Sequence, residues 1–143
     1  MKVIVPEEIG GGGLRLLPAG VARATLEKII MGKSKTGNPK ATFRYTITDE
    51  MDGVAEGEPS TIGETVLETY SLQSQALFRL NDVYKEVTGE RLPQGDFELE
   101  EFGEMLNDTL CGTEWDLLLE PQLPADGSSD KERTTVVKSS FVG

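Results

Sequence analysis

The stretch from Val21 to Thr48 constrains this chain's architecture more than any other. Ala22, Ala24 and Leu26 alternate with Arg23, Thr25 and Glu27, the two-residue period of a strand with one buried face over 21–31. Phe43, Tyr45 and Ile47 alternate in the same way with Thr42, Arg44 and Thr46 over 41–48. Gly37-Asn38-Pro39 between them is dense turn chemistry, so the two runs are predicted to fold back as a hairpin with a long tip. The spacing slips at Lys28, where Ile29 and Ile30 fall together, and a bulge or sharp bend is expected there. The tip, Gly32 to Lys40, carries Lys33, Lys35 and Lys40.

Asp49 to Gly63 is polar, acidic and glycine-containing, and reads as a surface loop. Thr65 to Leu72 is a third strand. Ser71 or Ser74 can then cap a helix running to about Val87, with Leu77, Leu80, Tyr84 and Val87 as its apolar stripe and Gly89 as its stop. A second helix is expected from Asp96, as N-cap, to Asn107, with Leu99, Phe102 and Leu106 on one face. Trp115, Leu117 and Leu119 alternate in a fourth strand ending before Pro121, and Arg133 to Val142 forms a fifth. Residues 1–19 read as an N-terminal arm. In it Gly10 to Gly13 is a flexible hinge, and Leu14, Leu16 and Leu17 pack one end of the domain formed by 20–143.

Three strands, a helical insertion and two strands is the order of the OB-fold, a mainly β, five-stranded Greek-key barrel with its helices between strands three and four. An SH3-like barrel lacks so large an insertion. A ferredoxin-like fold needs a helix after the first strand, where this chain has the lysine tip.

Several function classes are excluded by what the chain lacks. With no histidine, Ser-His and Cys-His catalysis and histidine-ligated zinc disappear. No pair of carboxylates stands out by spacing, and no calcium-loop pattern is present. Lys33-Ser34 after Gly32 imitates a phosphate-binding loop, but that motif needs a glycine where Glu27 stands and a helix where Pro39 and a strand follow. The expectation is a protein without catalytic residues, metal or cofactor. At 143 residues the chain makes one domain able to bury roughly 70% of its unfolded surface. The single Cys111 forms no internal disulfide, no signal-peptide pattern is seen, and no apolar run approaches the ~18 residues of a membrane span. A soluble protein of the reducing cytoplasm, with no membrane partner, is expected.

The net charge is −11, and its distribution is informative. Residues 15–44 hold seven lysines and arginines against Glu27 alone, whereas 49–130 hold twenty-one acids against Arg79, Lys85 and Arg91. In an OB-fold the loop between strands one and two and the loop between strands four and five flank a groove over strands two and three. Here the first loop carries Lys33, Lys35 and Lys40, the second ends in Lys131 and Arg133, and Arg23 and Arg44 lie on outward strand faces. Releasing counterions from phosphates would drive binding of a single strand along such a groove. Alternation assigns Phe43 and Trp115 to the core and leaves Tyr70 as the residue on which a base would stack. The competing readings are solubilising lysines on a hairpin tip, and an acidic module. In the second, Glu98, Glu100, Glu101 and Glu104 present a solvated face, a DNA mimic or a docking surface for a basic partner.

The run Lys33-x-Lys35-x-Gly37-Asn38-Pro39 between two strands resembles phage-encoded single-stranded DNA-binding proteins, a family long described as a domain of unknown function. The similarity extends to Leu17-Pro18-Ala19-Gly20, to Gln75-Ala76-Leu77-Phe78-Arg79-Leu80 and to Gly112, and so spans most of the chain. It implies an OB-fold, a role in phage DNA replication and recombination, and a place for Lys33, Lys35 and Lys40 at the DNA. It also implies phage or host replication proteins as partners, and leaves self-association open. The C-terminal residues Val137 to Gly143 lack the acidic tail with which many such proteins recruit partners, so recruitment would fall to the acidic helices or the 49–63 loop.

Overall fold

The longest element, strand β1 (Gly20–Lys33), organises the rest of the molecule. In this computed structural model, which describes residues 14–124, 127 and 130–143, its first half pairs with β4 (Glu114–Gln122) and its second half with β2 (Pro39–Ile47). Strand β3 (Thr65–Ser71) extends the sheet beyond β2, and β5 (Arg133–Phe141) extends it beyond β4. The result is a five-stranded antiparallel sheet ordered β3-β2-β1-β4-β5, with helices α1 (Phe78–Thr88) and α2 (Leu99–Leu110) between β3 and β4. The glycine run Gly10–Gly13 expected as a hinge lies outside the described residues.

Alternation and burial agree along the sheet. Ala22, Ala24 and Leu26 of β1, Phe43, Tyr45 and Ile47 of β2, and Trp115, Leu117 and Leu119 of β4 are all at most 1% exposed. The expected bulge is present: the β1–β2 register shifts between Leu26 and Lys28. One extra residue on β1 turns Ile29 back into the core and sends Lys28 outward. Past the bulge, β1 has left β4, which pairs only as far as Thr25, so its backbone there needs another partner. Asn107 of α2 supplies it. Its side chain accepts from the Ile29 N–H at 2.9 Å and donates to the Ile29 carbonyl at 2.9 Å. Next to it Gly103 lets α2 lie directly on β1, since a Cβ there would stand 2.4 Å from Met31 Cγ.

Four expectations are corrected. The hairpin tip is short, because the strands run on to Lys33 and Pro39 and leave only 34–38 between them. Helix α1 begins at Phe78, not after Ser71 or Ser74: Ser71 Oγ instead accepts from the Gln73 N–H at 3.3 Å, in a bend that precedes the helix. Helix α2 begins at Leu99 and runs to Leu110, with Glu98 and not Asp96 at its N-cap. Strand β4 passes through Pro121, which pairs with Thr134. Beyond Leu119 one side of β4 has no neighbour, so proline's missing donor leaves no ladder bond unmade there. Gly89 does stop α1, in the left-handed conformation at φ 77°.

The segments outside the sheet are tied to it. Leu17 is buried and donates its N–H to Thr134 Oγ1 at 2.9 Å, while Arg15 reaches the carbonyls of Pro59 and Ser60. The loop 49–63, expected to lie wholly on the surface, contributes Met51 and Thr61 to the interior. Glu50 organises it, accepting from Ser60 Oγ at 2.6 Å and from the Thr61 N–H at 3.0 Å, and the Ser60 bond first of all holds its carboxyl below the usual range.

Candidate nucleic-acid interface

Because register fixes which side chains share a face, the outer surface of β1, β2 and β3 can be read in rows. Lys28 lies beside Arg44, which lies beside Leu67; Ile30, Thr42 and Thr69 form the next row. Gly32, Lys40 and Ser71 form the third. None of these nine residues is acidic, although the chain carries −11; the nearest acid in the β1 sequence is Glu27, the extra residue of the bulge. Ile30 and Leu67 are 43% and 41% exposed, and Thr42 and Thr69 face each other with hydroxyls 3.3 Å apart. The face therefore offers cations at two levels, with hydroxyls and apolar side chains between them.

The lysine tip closes the end of the hairpin, with Lys33 on the same parity as Ile29 and Met31 and Lys35 on the turn itself. Gly37 takes φ +85°, its N–H donates to the Ser34 carbonyl at 2.9 Å, and the Ser34 N–H donates to the Asn38 carbonyl at 2.8 Å. Asn38 adds a bond from Nδ2 to Thr36 Oγ1 at 2.9 Å. These bonds make the tip a built turn, with Lys33 and Lys35 exposed on it. Lys40 is half-buried because its stem lies over Gly32, where a Cβ would meet Lys40 Cε at 3.8 Å.

The curl of the sheet brings its two outer strands face to face without pairing them. A groove of about 920 Å³ separates β3 from β5, walled by Leu67 and Tyr70 on one side and by Arg133, Val137 and Lys138 on the other, with Arg79 of α1 at its edge. Here Arg133 faces β3 across the groove. Along the flat register it belongs far from the lysine tip, since Lys33↔Pro39 closes one end of β1 and Gln122↔Arg133 lies beyond the other. Lys131 is exposed just ahead of β5.

Two of the residues expected at the interface belong elsewhere. Arg23 is engaged by β4: its Nε donates to Asp116 Oδ1 at 2.6 Å, its Nη2 to Oδ2 at 3.3 Å, and Glu114 lies 4.0 Å away. The Asp116 bond is also what raises the Arg23 pKa. Register explains this, because Arg23 and Asp116 are direct cross-strand partners. Tyr70 points inward with Val66, its ring 4.7 Å from Phe43, and is 9% exposed, so little of it is open where it lines the groove. Phe43 and Trp115 are buried, as alternation predicts.

Sequence reasoning missed Lys28, Arg79, Lys138 and Phe78 as interface residues. Lys28 falls on the inward side by simple alternation, and only the bulge reverses it. Phe78 is 59% exposed beside Arg79, whose guanidinium carbon lies 5.9 Å from its ring centre. It is an open aromatic platform beside Arg79, which itself lines the groove. Its signal was an aromatic side chain off the helix stripe.

Two acids also line the groove, Asp82 of α1 and Glu68, which lies on the inward face of β3. Glu68 Oε1 accepts from Tyr70 Oη at 2.8 Å and from Tyr45 Oη at 3.1 Å. Burial pushes its pKa up against the opposing effect of these two bonds, and burial likewise raises both phenols. Among the described residues no cluster of cysteine and carboxylates has the makings of a metal site, and no helix is long and apolar enough to cross a membrane. No protein-family model matches the chain, and no curated protein is detectably similar to it.

Proposed function

We propose that this chain is a sequence-tolerant single-stranded DNA-binding protein of the phage type, built on an OB-type barrel, that performs no chemistry. The observation that carries the reading is the block of three register rows on the outer face of β1–β3, which holds Lys28, Lys40 and Arg44 and no acid, with Lys33 and Lys35 on the adjoining tip. On an acidic protein, a block of rows that keeps its cations and sheds its carboxylates suits a polyanion. The absence of a base-reading set of amide side chains on that face fits tolerance of sequence.

The strand crosses β2 and β3 and turns into the groove toward β5, where Arg79, Lys138 and Arg133 meet its phosphates. Bases rest on Ile30, Leu67 and the open ring of Phe78. The OB reading is supported by the position of β1 between β2 and β4, by helices that lead from β3 across to β4, and by the approach of β3 to β5. A role in phage replication or recombination in the host cytoplasm accords with the resemblance carried by the lysine tip.

Fluorescence anisotropy with labelled oligo-dT at low and moderate salt tests the reading. Binding at low salt that weakens steeply with salt, and weakens further on charge reversal at Lys33 and Lys35, is expected. Absence of binding at low salt would refute it.

A further inference from the structure

Beneath the lysine tip lies a second cavity of opposite character. It measures about 380 Å³ and is walled by Pro39 and Leu72 at the ends of β2 and β3, by Leu77 ahead of α1, and by Leu92, Phe97 and Phe102. That volume is in the range that holds one or two side chains or a small ligand, roughly 300–1,000 Å³. The site is built in advance. Asn81 Oδ1 accepts from the Leu92 N–H at 2.9 Å, fixing the floor, and the Phe97 ring stacks on Phe102 at 5.7 Å and 23°. Yet Phe97 remains 41% exposed, an aromatic side chain ordered by a neighbour and left open to solvent.

The rim is sharply polarised. Asp96, Glu98, Glu100 and Glu101, all exposed, surround Phe97 and the start of α2, and no lysine or arginine occurs anywhere from Leu92 to Asp130. On the β2 wall Pro39 has Lys33 as its register partner, while Lys40 turns to the outer face.

We propose that this pocket docks a short protein segment bearing one aliphatic or aromatic anchor side chain followed by lysines or arginines. The apolar walls supply the affinity for the anchor and the four carboxylates select its basic flank. A nucleic acid fits poorly, since its phosphates would cross four carboxylates. The occupant is therefore a basic protein partner, and this end of the molecule serves recruitment while the cationic face serves the polyanion. The pocket does not depend on the DNA reading.

The test uses the whole chain and a fluorescein-labelled peptide Leu-Phe-Ser-Lys-Arg-Lys, with a second peptide carrying glutamates in place of its basic residues. Anisotropy at low salt should show binding of the basic peptide alone, weakening as salt rises. Phe97→Ala, at an exposed ring, and the double variant Glu98→Lys/Glu101→Lys should each weaken it at least about tenfold, the scale of an anchor contact. Lys28→Ala, which weakens oligo-dT binding in the reading above and lies on the outer face, should leave the peptide unaffected. Equal binding of the acidic peptide, no loss in Phe97→Ala, or no binding at low salt would overturn the proposal. So would displacement of the peptide by oligo-dT in a manner that depends on Phe97, which would give the pocket to DNA. Self-association abolished by Phe97→Ala would give it to a second copy and overturn the proposal equally.

Discussion

Lys28 offers the sharpest test of the interface, because its outward position depends on a single extra residue in β1. The face and tip together present Lys28, Lys33, Lys35, Lys40 and Arg44, and each phosphate contact on a single strand contributes a slope of about −0.7 to log K against log salt. These five contribute about −3.5 to the slope, beside the share of the groove cations, and Lys28→Ala should reduce its magnitude by about 0.7. One contact's share scales as salt to the power −0.7, so at about 0.1 M salt its loss weakens binding about fivefold, or about 1 kcal/mol. Folding stability should change by less than about 0.5 kcal/mol, since the side chain is exposed. The assay is oligo-dT anisotropy over a salt series, with Arg23→Ala alongside. Arg23 is committed to Asp116, so its removal should leave the slope unchanged. A wild-type slope in Lys28→Ala, or an equal loss in Arg23→Ala, would show that DNA does not lie on this face.

Two further predictions concern the scaffold. In Gly103→Ala the new methyl meets Met31 Cγ at 2.4 Å, and the strain of about 1–3 kcal/mol should outweigh the 0.5–1 kcal/mol or so that alanine contributes to a helix. Thermal unfolding should therefore shift down, and a rise in Tm would refute the close packing of α2 on β1. At Glu68, burial raises the folded-state pKa above 4.5, so the native protein binds the extra proton and loses stability as pH rises from there through the raised value. Glu68→Gln keeps an acceptor for Tyr45 and Tyr70 without the charge. Urea titrations should find the two proteins alike below pH 4.5 and the variant more stable at neutral pH. A variant that is instead less stable at neutral pH would show that the two phenol bonds outweigh burial.

The strands were legible in the sequence because each buries one face, and a two-residue period survives in any linear reading. Ala22-Ala24-Leu26, Phe43-Tyr45-Ile47 and Trp115-Leu117-Leu119 each announce a strand and its inward side. The slip at Lys28 announced the bulge for the same reason. Helix starts were less legible. Ser71, Ser74 and Asp96 have capping chemistry, yet neither helix has a side-chain cap bond, and each is held to the core through buried side chains such as Leu80 and Leu106.

What the sequence by itself determined is local: element order, inward faces, the turn at 34–38 and the gathering of cations in one third of the chain. Which cations act together was decided only by tertiary structure. Side-chain period says which face a residue takes, but not which strand lies beside it. Arg23 and Arg44 look equivalent in the sequence, each outward on a strand. Pairing puts a carboxylate opposite Arg23 and Lys28 opposite Arg44, and curling of the sheet carries Arg133 toward β3 from the far end of the ladder. A charge is neutralised or gathered by neighbours distant in sequence, and those neighbours exist only once the strands have chosen their partners.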